Sequence, residues 1–254
     1  MRTITCLAVV LLATSGCATL PPSLSWQRAG DAAVDAARDP WVWAPLAGAA
    51  ALQVGDADGR ISRWARREAP LFGSNADANR ASDRLRSMAV IADAVVVLAE
   101  PRREPAGSGL EEKSVQYLED LAAATAAIGV TRGLKSAVGR TRPLGQDTES
   151  FPSGHVTISA TYDRLAVERL QRFDLSPALK TGLGLGLDAV TVGTAWARIE
   201  AGAHYPSDTL AGMAIGAFSA RFFEGLLRSP GDTRMALEIA PERGGARIAW
   251  RAAW

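Results

Sequence analysis

The stretch that decides the fold runs from Lys135 to Asp208 and reads KSAVGRTRPLGQDTESFPSGHVTISATYDRLAVERLQRFDLSPALKTGLGLGLDAVTVGTAWARIEAGAHYPSD. Three short polar runs, residues 135–143, 151–155 and 198–208, are set into otherwise apolar helical sequence. Both histidines of the chain lie in these runs, and so does one of its three lysines. Such a concentration of scarce residue types predicts a functional site.

Helices are predicted around the polar runs from apolar residues spaced three and four positions apart. One helix is expected to begin at Ser82 or Asp83 and to end at Glu100. Its large apolar residues share one stripe: Met88, Ile91, Val95 and Leu98. Further helices are expected over residues 41–54, 111–139, 155–173, 176–202 and 206–227. This pattern predicts an all-α bundle whose buried helices are rich in small residues.

The longest apolar runs are each interrupted by a charged residue, namely Asp93, Arg132 or Asp188. None of them reaches the charge-free length of about 20 residues that a bilayer crossing requires. We therefore expect a water-soluble bundle, and the alternative is a polytopic membrane enzyme.

Length and composition predict one globular domain, because 254 residues that are 48% hydrophobic can bury a sizeable core. The formal net charge of +1 gives no support for a basic nucleic-acid footprint, and no nucleic-acid partner is expected. We divide the chain into a signal peptide, a tether with a short amphipathic segment, a helical domain and a C-terminal tail. Their bounds are residues 1–17, 18–38, 39–228 and 229–254. The tail alternates in part and is expected to form a short β-hairpin.

The N-terminus has the pattern of a bacterial export signal. A basic Arg2 is followed by a short apolar segment and by small residues that are typical of a cleavage site. Cys17 follows in a lipobox-like context, so the prediction is acylation of Cys17 and anchoring of the mature chain in the outer membrane, facing the periplasm. The only other cysteine, Cys6, lies within the removed segment. The alternative is an ordinary signal peptide with an incidental cysteine.

The first polar run carries two cations. Lys135 and Arg142 are seven residues apart, so on one helix they would share a face, about 10 Å apart along the axis. Two such cations are also typical of a solvated surface, and this run alone decides little.

The second run, Pro152-Ser153-Gly154-His155, opens a helix. Its unpaired N–H groups and partial positive charge favour an anion, and Gly154 lets a ligand approach the main chain. Ser153 can equally serve only as an N-cap. An N-cap does not require a histidine at the next positions, so the presence of His155 favours a functional site over a simple cap.

The third run also places a histidine at the start of a helix. His204 precedes a helix that begins at Pro206, and Asp208 lies in its first turn. Asp208 can complement the helix dipole, or it can accept a hydrogen bond from His204 and leave the other ring nitrogen as a nucleophile. Arg198 closes the preceding helix, where a cation is also favoured by the helix dipole.

Taken together, the runs predict a pocket for a multiply charged tetrahedral anion. Arginine binds phosphate oxygens in a bidentate way, and lysine adds a point charge. Positioned cations are what phosphoryl transfer chiefly requires. The sequence has no cluster of acidic residues and histidines with metal-ligand spacing, so we expect the protein to supply the positive charge without a metal or another cofactor.

The spacings Lys-x6-Arg-Pro, Pro-Ser-Gly-His and Arg-x5-His-x3-Asp resemble the three signature motifs of the type 2 phosphatidic acid phosphatase superfamily. That superfamily also contains bacterial class A acid phosphatases and vanadium-dependent haloperoxidases. The resemblance covers residues 134–216 and implies a bundle of about six helices. Ala197 stands where the family usually has serine, and we expect a modest loss of hydrogen bonding there.

The resemblance also implies roles for the site residues. His204 attacks phosphorus and forms a phosphohistidine, Asp208 orients it, and His155 protonates the leaving alkoxide. The phosphate oxygens are held by the remaining motif residues: Lys135, Arg142, Ser153, Gly154 and Arg198.

The leading hypothesis is a metal-independent phosphatase that acts on a phosphomonoester or pyrophosphate of a lipid, because an anchored pocket stays near a bilayer. One alternative is a periplasmic acid phosphatase for soluble phosphomonoesters. Others are a vanadium haloperoxidase, in which His204 would bind vanadate, and an envelope lipoprotein that binds an anion without turnover. Ala197 is the one feature that favours the non-catalytic alternative.

Overall fold

The computed structural model describes residues 25–101, 109–227, 234–242 and 245–253. Within these ranges the chain forms eight α-helices. They are α1 Trp26–Arg38, α2 Pro40–Ala51, α3 Ala57–Glu68, α4 Asn75–Ala99, α5 Gly109–Val138, α6 Gly154–Leu170, α7 Pro177–Glu200 and α8 Pro206–Leu227. The all-α class is confirmed, whereas the expected count of about six helices is too low.

The additional helices lie at the N-terminal side, where we expected a tether and short segments. The Ser25 hydroxyl accepts a hydrogen bond from the Arg28 N–H at 3.1 Å and caps α1. Asp39 caps α2 by accepting from the Trp41 N–H at 2.8 Å. A short 3-10 turn, Val54–Asp56, then separates α2 from α3. Helix α1 thus forms where a tether was expected, whereas α2 corresponds to the helix predicted over residues 41–54.

Helix α4 begins earlier than predicted. The Ser74 hydroxyl accepts a hydrogen bond from the Asp77 N–H at 3.0 Å, and this N-cap starts the helix at Asn75. Ser82 and Asp83 therefore lie inside the helix and do not cap it. As a result both side chains are free to take part in the site described below.

The apolar stripe of α4 faces away from the bundle. Each of its four residues is more than half exposed: Met88, Ile91, Val95 and Leu98. The buried face of α4 instead carries small or polar side chains: Ala78, Ser82, Ala89, Asp93 and Val97. The stripe correctly predicted a helix, but small and polar residues on the facing helices α6 and α7 select the opposite face for burial.

Helices α6 and α8 form the centre of the bundle, and α4, α5 and α7 pack against α6. Most of the buried apolar side chains are alanines. Gly216 shows why α8 needs small residues, since an added Cβ would lie 2.5 Å from the Thr157 carbonyl oxygen. The close packing of α6 against α8 fixes the position of their N-terminal ends, where the second and third polar runs lie.

Beyond α8 the structure places two strands, β1 Arg234–Glu242 and β2 Gly245–Ala253, which pair antiparallel with Ile239 opposite Ile248. Residues 243 and 244 between them lie outside the described ranges, so the hairpin turn remains a prediction. The signal peptide, Cys17 and the first part of the tether also lie outside these ranges.

One helix of the described part of the chain, α8, is long and apolar enough to cross a membrane by length and composition alone. Half of its most apolar window is buried inside the bundle, and central helices of soluble proteins have the same character.

Candidate active site

The three polar runs meet at one end of the bundle. The Ser153 N–H donates a hydrogen bond to the Asp208 carbonyl oxygen at 3.0 Å, which ties the start of α6 to the start of α8. The guanidinium of Arg198 at the end of α7 is close enough to both imidazoles to lower the pKa of His155 and of His204. The residues that the sequence analysis selected from separate runs therefore converge.

Arg198 is buried and is held from α4. Its Nη1 donates to Asn79 Oδ1 at 2.6 Å and to Ser82 Oγ at 3.3 Å. Burial lowers the pKa of Arg198 to about 10, and the neighbouring charge of Arg142 acts in the same direction. The guanidinium remains a cation at neutral pH, and two fixed acceptors set its orientation.

Two polar groups of this site are buried without a hydrogen-bond partner among the described residues: Ser153 Oγ and Arg198 Nε. The Ser153 side chain is completely inaccessible, and Arg198 is 6% exposed. Buried polar groups nearly always have a hydrogen-bond partner. Two buried donors that both lack an acceptor therefore indicate a bound group that accepts hydrogen bonds. An anion with several oxygens meets this requirement.

His204 is 2% exposed. Its Nδ1 lies 2.6 Å from the Ser150 carbonyl oxygen, and since a carbonyl can only accept, Nδ1 carries the proton. Burial lowers the pKa of His204 well below its usual range, and the charges of Arg198, Lys135 and Arg142 lower it further. The imidazole is therefore neutral, with a lone pair on Nε2.

Asp208 does not bond directly to His204, contrary to the simplest form of the prediction. Its Oδ2 lies 3.9 Å from His204 Nδ1, which is beyond hydrogen-bond distance. The same Oδ2 accepts from the Ser150 hydroxyl and from the Tyr205 N–H, the latter at 2.8 Å. The direct bond is absent because the Ser150 carbonyl occupies the position of the acceptor, so any orientation of His204 by Asp208 passes through Ser150.

His155 contacts a carboxylate that the sequence analysis did not identify. Its Nε2 lies 2.7 Å from Asp83 Oδ1, and Arg86 Nη1 lies 3.3 Å from the same nitrogen. Burial lowers the pKa of His155 to about 4, the charges of Arg198 and Arg86 lower it, and Asp83 raises it. In the unliganded protein His155 is neutral at pH 7.

Lys135 lies in α5 and Arg142 lies beyond its end, as the helix expected over residues 111–139 implied, so the two cations do not share a helix face. Helix α5 ends at Val138, and Gly139 follows with a φ of 58°, a left-handed conformation that glycine adopts readily and that ends helices. Lys135 Nζ donates to the Glu149 carbonyl, and Arg142 Nε donates to Asp147 Oδ1 at 2.7 Å. Both cations are thus held by the loop that follows α5, beside the site.

Gly154, the first residue of α6, leaves space at the site. An added Cβ would have only the Thr131 side chain within 4 Å, at 3.8 Å. This space is compatible with the expected approach of a ligand to the main chain, which stays a prediction.

Four further residues of the site were not selected from the sequence: Asn79, Asp83, Arg140 and Asp58. Arg140 lies within the first polar run and could have been selected from its spacing to Arg142. Asn79, Asp83 and Asp58 lie in α4 and α3, far away in sequence from the runs. No local pattern marks them, because their importance comes only from packing.

Comparisons with known proteins agree with this geometry. Residues 116–226 match the model of the PAP2 superfamily. The chain is also similar to the crystal structure of a transmembrane PAP2 type phosphatidylglycerolphosphate phosphatase from Bacillus subtilis, with a TM-score of 0.53 and 21% sequence identity. This match covers 73% of the present chain and 92% of the Bacillus chain, and at this identity it establishes a shared fold. No curated protein sequence matches the chain.

The family match spans α6, α7 and α8 and most of α5, the segment that contains all three polar runs. Together with the shared fold it supports a phosphoric monoester hydrolase. Residues 116–226, which carry the site, therefore match the PAP2 superfamily.

Proposed function

We propose that this protein is a metal-independent phosphatase that hydrolyses a phosphomonoester or pyrophosphate of a lipid through a phosphohistidine on His204. The observations that carry the proposal are a neutral, buried imidazole on which the charge of Arg198 acts, and two buried donors, Ser153 Oγ and Arg198 Nε, that have no partner within the described residues. A phosphate placed there satisfies both donors and presents its phosphorus to the imidazole.

In the first step His204 Nε2 attacks phosphorus while the bond to the ester oxygen breaks. The leaving oxygen takes a proton from His155, and the phosphoryl group remains on His204. In the second step a water molecule gives a proton to His155 and attacks phosphorus, which releases inorganic phosphate and restores His204. Arg198, Lys135 and Arg142 supply the positive charge that the equatorial oxygens require.

The acid role of His155 depends on the substrate as well as on Asp83. A pKa of about 4 in the unliganded protein leaves His155 without the proton that it must donate. The negative charge of a bound phosphate raises this pKa, and Asp83 at 2.7 Å acts in the same direction. Asp83 also fixes the ring by accepting the hydrogen bond of Nε2.

A lipid substrate is supported by the outer surface of the bundle. Helix α4 exposes its apolar stripe, and α7 exposes Leu185 and Val192. Exposed apolar surface of this extent is typical of sites that contact lipid or another protein. The similar Bacillus protein is a transmembrane phosphatidylglycerolphosphate phosphatase. We propose that these faces contact a membrane, with Cys17 as an N-terminal lipid anchor on the periplasmic side of the outer membrane.

The test is hydrolysis by the purified full-length chain in detergent with EDTA present. We expect phosphate release from p-nitrophenyl phosphate and from phosphatidic acid in mixed micelles, with the higher kcat/KM on the lipid. His204→Ala should abolish both activities while retaining the thermal unfolding midpoint of the wild type.

Each other outcome identifies a different function. A preference for glycerol phosphate over phosphatidic acid would support the soluble-substrate alternative. Bromide oxidation after addition of vanadate would support a haloperoxidase. Binding of inorganic phosphate without hydrolysis of any of these substrates would contradict an enzyme and support a binding protein.

A further inference from the structure

Asp58 is a buried carboxylate behind the site, on a helix that precedes the family-matched segment. It lies in the first turn of α3 and is 3% exposed. Its Oδ1 accepts from the Ser207 N–H at 2.8 Å. Its Oδ2 accepts from the Ser207 hydroxyl at 2.6 Å and from Arg140 Nη2 at 2.7 Å. Both oxygens are thus engaged by the start of α8 and by the loop after α5.

Arg140 connects this carboxylate to a second one. Its Nη1 donates to Asp208 Oδ1 at 2.7 Å and to Ser207 Oγ at 2.8 Å. The guanidinium also stacks 3.9 Å from the centre of the Tyr205 ring, next in sequence to His204. One guanidinium is therefore held between two buried carboxylates and an aromatic face, which fixes its position strongly.

From Asp208 the contacts continue to the nucleophile. The other oxygen of Asp208 accepts from the Ser150 hydroxyl, and the Ser150 carbonyl accepts the Nδ1 proton of His204. A continuous path of hydrogen bonds therefore runs from Asp58 through Arg140, Asp208 and Ser150 to His204. Within the described residues Asp58 and Arg140 make no hydrogen bond to the phosphate cradle, Ser153 Oγ and Arg198 Nε. Ser153 meets the path only through its main-chain N–H, which donates to the Asp208 carbonyl oxygen.

We propose that Asp58 is a positioning residue for the nucleophile, through which α3 completes an active site whose motif residues lie in α5 to α8. The proposal rests on the proposed phosphatase activity. Removing the charge of Asp58 leaves Arg140 with a single carboxylate, and the guanidinium then moves towards Asp208 and water. This movement displaces Ser150 and the ring of His204, whereas the phosphate cradle stays in place.

The test compares Asp58→Asn and Asp58→Ala in the full-length protein. The asparagine variant keeps the side-chain shape and one acceptor, so it tests the charge even if the alanine variant fails to fold. We expect kcat on p-nitrophenyl phosphate to fall about ten- to a hundredfold, the range for a misplaced reacting group. KM and the inhibition constant of inorganic phosphate should stay within about twofold, because the cradle is unchanged.

Asp56→Asn is the matched control. Asp56 lies two residues earlier and pairs with Arg63 at the surface, with two thirds of its side chain exposed. The kcat of Asp56→Asn should equal that of the wild type. The Asp58→Glu variant, which keeps the carboxylate, should have a higher kcat than Asp58→Asn.

The outcomes are distinguishable from failure of the proposed function. If the wild type releases no phosphate, the phosphatase proposal fails. If the wild type is active and Asp58→Asn has an unchanged kcat, the positioning role is overturned. The role is equally overturned if the inhibition constant of phosphate rises in parallel with the loss of kcat, since this indicates general damage to the site.

Discussion

The Nε2 of His155 lies 2.7 Å from Asp83 Oδ1, and this contact joins the start of α6 to a carboxylate on α4. Asp83 is half exposed and the His155 side chain about a quarter exposed. The pair therefore lies at the open side of the site, where a leaving group would depart. This position matches the role of a proton donor better than that of a nucleophile.

Replacing Asp83 by asparagine is expected to shift the pH dependence of catalysis. Removal of a negative charge lowers the pKa of His155. The acid form is lost as pH rises through this pKa, so the decline of kcat/KM at higher pH should begin at lower pH in Asp83→Asn. The measurement is a pH–rate profile on glycerol phosphate, whose leaving group needs protonation.

Two comparisons control this prediction. p-Nitrophenyl phosphate has a better leaving group and should show a smaller effect of Asp83→Asn. Asp77→Asn removes an exposed carboxylate of α4 that pairs with Arg80, and its profile should match the wild type. An unchanged profile for Asp83→Asn would exclude Asp83 as the partner of the proton donor.

Gly212→Ala is expected to destabilise the protein and to lower its activity. An added Cβ would lie 2.6 Å from the Ser153 carbonyl oxygen and 3.3 Å from Thr157 Oγ1. The starts of α8 and α6 must then separate, and Ser153 moves out of the phosphate cradle. Thermal unfolding and kcat/KM on p-nitrophenyl phosphate measure the two effects.

The matched control is Gly129→Ala in α5, where an added Cβ meets no atom within 4 Å. Here the lower conformational entropy of the unfolded chain should raise the free energy of unfolding by about 0.5–1 kcal/mol. Equal behaviour of the two variants would mean that close packing of α6 against α8 does not position the site.

The exposed stripe of α4 is expected to govern access to lipid substrates. We predict that Ile91→Gln combined with Leu98→Gln, in a Cys17→Ser background, lowers the rate on phosphatidic acid in phosphatidylcholine vesicles. The rate on p-nitrophenyl phosphate should stay unchanged, because neither residue contacts the site residues described above. Ser87→Gln, on the exposed part of the same helix, is the control. Parallel loss of both rates would indicate a structural effect of the stripe instead.

A buried ion cluster is expected to make stability depend on pH. Arg169 pairs with Asp93 at 2.9 Å and with Asp120, and burial raises the pKa of Asp93 to about 8, with Asp120 acting in the same direction. The folded chain therefore holds a proton that the unfolded chain releases above about pH 4. The free energy of unfolding should fall as pH rises from about 4 to about 8.

Asp93→Asn should make this slope shallower, because Asp93 no longer titrates. Asp120, Asp163 and Asp208, whose pKa values burial also raises, still do. Denaturant unfolding of the wild type and the variant across the same pH range makes the comparison. An identical slope in both proteins would assign the pH dependence to other groups.

The sequence predicted the helical class correctly and singled out three runs that meet at one end of the bundle, for a physical reason. Each run is a set of adjacent residues at a helix end, and their side-chain chemistry does not depend on distant packing. His155, Arg198 and His204 could therefore be selected without coordinates. A direct hydrogen bond from His204 to Asp208 was expected, but His204 Nδ1 donates to the Ser150 carbonyl oxygen instead. No sequence pattern reveals that a main-chain carbonyl takes this position.

Other features depend on tertiary packing and could not be predicted. The stripe of Met88, Ile91, Val95 and Leu98 marks one face of a helix, but it does not say which face the neighbours bury. Asp58 and Asp83 acquire their partners only when α3 and α4 pack against the ends of α6 and α8. The additional helix α1 begins at a cap on Ser25 in sequence of mixed character, and the additional helix α3 begins without a side-chain cap that a sequence pattern could reveal.

The central claim is that His204 carries the phosphoryl group during turnover. The direct measurement is mass spectrometry of the chain after rapid quenching in base, under which phosphohistidine survives, during hydrolysis of p-nitrophenyl phosphate in EDTA. We predict a phosphorylated peptide that contains His204, and an accumulation of this species in His155→Ala if the second step is slowed more than the first. Turnover by His204→Ala at the wild-type rate, or a phosphoryl group on any other residue, would contradict the account.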